Sequence, residues 1–106
     1  MAKQLIALFK KPDDVDAFLA HYRDVHAPLM RQVPGLQSMQ VARVESDPFG
    51  GEPSYFLVVT MTFGDAESFR KAMRSEENKA AGKDLMSFAR GLVTLMVCDE
   101  EPAHPS

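Results

Sequence analysis

Four short apolar runs alternate with two stretches of helical periodicity, in the order strand, helix, strand, strand, helix, strand, and that order leaves a chain of 106 residues few ways to fold. Residues 3–10 read as a strand in which Leu5, Ile6, Ala7, Leu8 and Phe9 are apolar on both faces. Lys11-Pro12-Asp13-Asp14 breaks it; Asp13 is the expected N-cap of a helix, with Asp16 three residues on in the capping-box position. The helix is expected to reach about Gln32, where Pro34-Gly35 stops it. Residues 36–45 alternate, with Met39 and Val41 on one side and Leu36, Ala42 and Val44 on the other. Asp47-Pro48 and Gly50-Gly51 mark a hairpin loop, and residues 55–63 form a third strand rich in Val, Thr and aromatics.

The second helical region opens at Asp65, an N-cap, and buries Phe69, Ala72 and Met73. Ser75-Glu76-Glu77 is a fresh cap, which predicts a bend and restart there, followed by Ala81, Leu85, Phe88 and Ala89. Gly82 weakens this stretch and Gly91 ends it. Residues 92–98 are an unbroken apolar run, the pattern of a strand covered on both faces. The predicted fold is therefore α+β: a ferredoxin-like βαββαβ domain over residues 1–98, with a four-stranded antiparallel sheet and both helices on one face. Residues 99–106, with two prolines and three acids, are expected to be a flexible tail. Helices cover one sheet face only, yet three strands are apolar on both. The expected cover is a second copy, giving a homodimer through sheet-to-sheet packing.

Composition narrows the partners. A net charge of −3, with no basic cluster on a predicted face, gives no footprint for nucleic acid. No apolar run approaches the ~20 residues of a membrane span, and the N-terminus carries no signal-peptide pattern, so a cytoplasmic protein is expected. The lone Cys98 is expected to be a small core residue. No His, Cys, Asp or Glu set has metal-ligand spacing, and Gly50-Gly51 does not sit between strand and helix as a phosphate loop would, so no metal or cofactor is expected.

One residue interrupts the pattern of the first helix. Val15, Phe18, Leu19, Tyr22, His26, Leu29 and Val33 recur at helical spacing, within an arc of about 100°, and His26 lies near its centre. Two residues later, Pro28 deprives the carbonyl of Asp24 of its helical partner. An imidazole on an apolar face beside a backbone irregularity is a candidate for proton transfer near neutral pH. Tyr22, one turn earlier, is placed to share a pocket or a hydrogen-bond chain with it. His21 projects off the stripe and is expected to be solvated, and His104 lies in the tail. Asp84 lies near the inner face of the second helical region, where it can orient His26 or contact a ligand; as a solvated acid it would do neither.

The segments Tyr22-Arg23-Asp24-Val25-His26-Ala27-Pro28-Leu29 and Val33-Pro34-Gly35-Leu36 resemble the first half of the EthD family, named for a protein of ethyl tert-butyl ether degradation. Pro53-Ser54-Tyr55, Phe63-Gly64-Asp65-Ala66-Glu67-Ser68-Phe69 and Asp84 with Phe88 are similar to its second half. The resemblance implies a dimeric α+β barrel, a fold shared by muconolactone-type isomerases, polyketide cyclases, cofactor-free monooxygenases and haem-degrading enzymes. It also implies His26 as the family histidine, Asp84 as its acid and Tyr22 as the aromatic one turn before. The chain departs from the family at His21, where an aromatic is common, and after Asp84, where many members are more polar. The absence of Trp argues against haem degradation.

Two functions follow as expectations. One is a small cofactor-free enzyme, or an accessory to one, of isomerase, cyclase or oxygenase type. It would act on a small apolar molecule in a helix–sheet pocket, with His26, Tyr22 and Asp84 at the chemistry and Phe18, Met61 and Phe88 as walls. The other is a non-catalytic dimeric module that binds a hydrophobic ligand or a partner enzyme.

Overall fold

In a computed structural model that describes residues 1–102, the chain runs β1 (Lys3–Phe9), α1 (Val15–His21), a π-helical turn (Tyr22–His26), α2 (Ala27–Arg31), β2 (Leu36–Arg43), β3 (Leu57–Phe63), α3 (Ala66–Arg74), α4 (Glu76–Ala89) and β4 (Val93–Asp99). The four strands form one antiparallel sheet in the order β2-β3-β1-β4, the ferredoxin-like arrangement expected from the pattern. The strongest apolar strand sits second from the edge: β3 alternates strictly, with Leu57, Val59, Met61 and Phe63 buried and Val58, Thr60 and Thr62 half-buried on the reverse face. Phe9 and Ala7 of β1 pair with Leu57 and Val59, so the two inner strands present one apolar face to the helices. Phe18, Tyr22, Met30, Ala72, Ala81, Leu85 and Ala89 close the core from the helical side.

Helix ends follow local chemistry, with one shift. The first N-cap is Asp14 rather than Asp13: its carboxylate accepts from the Ala17 N–H at 3.0 Å, leaving Asp13 exposed. Asp65 caps α3 through the Ser68 N–H, and Ser75 separates α3 from α4, its hydroxyl accepting from the Asn78 N–H at 3.1 Å. Gly35, at φ +83°, makes the reversal into β2 that a side-chain-bearing residue would resist.

Three sequence expectations are corrected. Leu36 and Met39 were expected on opposite faces, but an irregularity between Leu36 and Ser38 inserts one residue. Both then pair with inward-facing residues of β3, Leu36 with Phe63 and Met39 with Met61. Cys98 was expected to be a small core residue; it lies half-buried on the outer face of β4, an edge strand whose Leu95, Met96 and Val97 are exposed in the single chain. The tail begins later than expected, since Asp99 closes β4 opposite Lys3 and its carboxylate meets the Lys3 ammonium at 3.0 Å. His104 and the end of the tail lie outside the described residues. Among the described residues no helix is long and apolar enough to cross a membrane.

Candidate functional site

Pro28 shapes the site through the backbone before any side chain acts. Instead of the four-residue bond of an α-helix, the Ala27 N–H reaches the Tyr22 carbonyl five residues back, forming the π turn. The wider turn accommodates the donor that Pro28 lacks. It also changes which side chains align. Phe18, Tyr22, His26 and Met30, each four apart, are buried, while Leu29, expected on the stripe, is only partly so.

Among the described residues, His26 is the one polar or charged member of the buried set, at 5 % exposure. Its Nδ1 lies 3.0 Å from Oδ2 of Asp84, whose side chain is 13 % exposed. A carboxylate accepts and does not donate, so Nδ1 carries the proton and Nε2 is left as an acceptor. Nε2 makes no hydrogen bond to the described residues and is not a fully buried unpaired atom, and the His26 ring lines the cavity. Burial pushes the His26 imidazole below its ordinary value. The bond and charge of Asp84 oppose that shift, and the charge of His21 adds to it.

His21 was expected in solvent; the structure brings it into the site. Its Nε2 lies 2.9 Å from the other carboxylate oxygen, Oδ1 of Asp84, with the His21 side chain 33 % exposed. Phe88 packs against both imidazoles, at 4.4 Å from His21 and 5.3 Å from His26 between ring centroids. Residues five apart point to different faces of an α-helix, which is why sequence spacing separated these histidines. A turn whose hydrogen bond closes over five residues brings them nearly into line. The signal that could have found it was Pro28 itself, read as a lengthened turn rather than a break.

The cavity lies between the sheet and the helices, with a volume of about 160 Å³. Leu5, Val59, Met61 and Leu95 line it from the sheet, Tyr22, His26 and Met30 from the first helical segment, and Met73, Ala81, Gly82 and Leu85 from α3 and α4. Met61 is therefore one of the lining residues. Phe18 and Phe88 are not: they lie behind His26, in contact with each other at 5.2 Å and beside a separate surface cleft with His21. Asp84 is not among the cavity-lining residues and joins the site through its bonds to His26 and His21. Tyr22 shares the cavity by its ring, 5.6 Å from that of His26, but makes no hydrogen-bond chain with it. Its hydroxyl is fully buried with no partner among the described residues, and burial pushes the phenol up to about 12, so it stays neutral.

The EthD domain model matches residues 10–91, the stretch that holds His21, His26 and Asp84. The chain belongs to the EthD family. A relative from Rhodococcus erythropolis, an uncharacterised 11.0 kDa protein of the thcB-thcC intergenic region, is 31% identical over 98 residues, 92% of this chain and 94% of that one. The crystal structure of an EthD family protein from Bacillus halodurans is 46% identical, with a TM-score of 0.90 over 95% of this chain and 100% of that one. Two distant structures share the fold. A dimeric ferredoxin-like protein of unknown function from Bacteroides fragilis is 15% identical, with a TM-score of 0.63 over 93% and 96% of the two chains. SnoaB, a cofactor-independent oxygenase from Streptomyces nogalater, is 12% identical, with a TM-score of 0.70 over 99% and 98%. In this EthD chain, the residues the family resemblance implied fall into two groups: His26 faces the cavity with Tyr22, whereas Asp84 stands behind them.

Proposed function

We propose that this EthD protein is a small cofactor-free enzyme, or an accessory to one, that acts on a small apolar molecule in the cavity beside His26. The observation that carries the reading is the 3.0 Å bond from His26 Nδ1 to Asp84, which presents an unprotonated Nε2 to a largely apolar cavity. That is the arrangement of a general base: the carboxylate fixes the tautomer and stabilises the imidazolium that forms when Nε2 accepts a proton. His21 holds the second oxygen of Asp84 and so positions the carboxylate. Tyr22 serves as a neutral wall. Isomerisation, cyclisation or cofactor-free oxygenation each begins with such a proton transfer, and the oxygenase named among the fold neighbours favours keeping the third.

The test is a turnover screen over small lactones, enones and phenols with the wild type, His26→Gln and His26→Ala. The expected result is a loss of about 10²–10⁴-fold in both variants, the usual contribution of a general base. Unchanged turnover in both would sink the role. A non-catalytic binding module is the second reading, favoured by the small size of the cavity. Under it, ligand binding survives in a protein without His26-dependent turnover.

The same reading includes a homodimer. Ile6, Leu8 and Val58 are half-buried and Met96 is exposed on the sheet face that no helix covers. Burying that face against a second copy is the simplest cover, and a fold neighbour is described as dimeric. Light scattering at micromolar concentration should give twice the 11.8 kDa chain mass. A mass of one chain would remove the dimer.

A further inference from the structure

We infer that the cavity beside His26 takes a neutral single-ring phenol whose hydroxyl donates to His26 Nε2. The inference rests on the proposed function in one respect, that Nε2 is the unprotonated, accepting nitrogen. Size sets the first limit. A cavity of about 160 Å³ is close to the roughly 150 Å³ of an engineered apolar cavity that binds benzene. One six-membered ring fills that volume.

Charge sets the second limit. No Lys, Arg, Asp or Glu lines the cavity, and burial keeps His26 neutral at pH 7. A carboxylate or an ammonium ligand would be desolvated with no opposite charge to meet it. Leu5, Val59, Met61, Met73, Leu85 and Leu95 give aliphatic and thioether walls, and the rings of Phe9 and Tyr22 add aromatic surface. Methionine sulfurs adapt to a flat ring and contact its edge favourably.

Hydrogen bonding sets the third. Tyr22 offers its ring, since its hydroxyl is fully buried. Asn78 is half-buried and its amide nitrogen is turned to the Met73 carbonyl at 3.4 Å. Two acceptors on the lining make no bond to the described residues, Asn78 Oδ1 and His26 Nε2, and the ligand's donor is assigned to Nε2, which Asp84 holds unprotonated. A ring without a donor would strip water from that nitrogen and leave it unpaired. A phenol supplies one donor on a flat apolar body, and its hydroxyl is a stronger donor than that of an aliphatic alcohol. One donor, one ring and no charge together describe the ligand.

The experiment compares phenol with fluorobenzene, which has nearly the same shape and no donor, and with benzoate, which is charged. Binding to the full-length wild type is followed by amide shifts of Ala81 and Gly82 and by the His26 ring nitrogens in ¹⁵N NMR. Phenol is expected to bind about fivefold tighter than fluorobenzene, the equivalent of one neutral hydrogen bond, and to move the Nε2 resonance; benzoate is expected not to bind. In His26→Leu the preference for phenol disappears while fluorobenzene still binds. Equal affinity of the wild type for phenol and fluorobenzene overturns the inference, as does a phenol preference that persists in His26→Leu. The wild-type comparison decides alone should His26→Leu not fold. A phenol preference without His26-dependent turnover retires the enzyme and leaves the ligand class standing. His26-dependent turnover of other substrates without that preference does the reverse.

Discussion

Replacing Asp84 by Ala separates the two bonds its carboxylate makes, because the structure assigns them different weights. The His26 side chain is 6 % exposed and lies 3.0 Å away, so removing the carboxylate leaves Nδ1–H buried with no acceptor. A charge-assisted hydrogen bond contributes about 1.5–3 kcal/mol, and an orphaned buried donor carries a penalty of similar size. The bond to His21 is one-third exposed on the histidine side, where water replaces the lost partner, and is worth at most about 1 kcal/mol. Asp84→Ala should therefore lose about 2–3 kcal/mol, and His21→Ala less than about 1 kcal/mol. For a chain of 106 residues, 2 kcal/mol corresponds to roughly 10 °C in Tm. Urea denaturation at fixed protein concentration measures both, since dimerisation would make stability depend on concentration. The His26 tautomer, read from its ring ¹⁵N shifts, should pass from Nδ1–H to a mixture in Asp84→Ala alone. A loss below about 0.5 kcal/mol with an unchanged tautomer would refute the assignment of Asp84 as the group that orients His26.

Three further outcomes follow from the same geometry. Because burial lowers the His26 value in the folded state, the unfolded chain binds this proton more readily. Its contribution to stability is complete above about pH 6.5 and is lost as pH falls from there through the lower folded value; denaturation midpoints in His26→Gln should lose that part of the acid dependence, and an unchanged profile would contradict it. Tyr22→Phe removes a buried hydroxyl that has no partner, so it should raise stability by about 1 kcal/mol, whereas a destabilisation of that size would mean the hydroxyl is paired. A β-carbon on Gly82 meets nothing within 4 Å, so Gly82→Ala should gain up to about 1 kcal/mol from helix propensity. The same methyl sits at the edge of the cavity, so ligand affinity should fall as stability rises; the two are read by calorimetric melting and by titration.

How much of the site was legible in the sequence depends on distance along the chain. His26 was conspicuous because a polar residue on an apolar helical stripe violates a local pattern. Phe18 and Phe88 were expected as walls because they share the apolar stripes, but a stripe is wide enough to serve both the cavity and the packing behind His26. His21 was placed in solvent because a uniform α-helical spacing was applied across a segment that widens at Pro28.

The sequence alone determined the order of elements, since it follows from periodicities of two and 3.6 that act within a few residues. It also placed the helix restart at Ser75, a capping effect confined to three residues. Tertiary structure alone decided that Asp84 stands between His21 and His26, 63 and 58 residues away. It alone decided that β4 lies at an edge and that one inserted residue aligns Leu36 with Met39. Each of these depends on how separate segments meet, and sequence periodicity carries no term for the distance between segments. The histidine is written in the sequence; the tautomer it holds is a property of the fold.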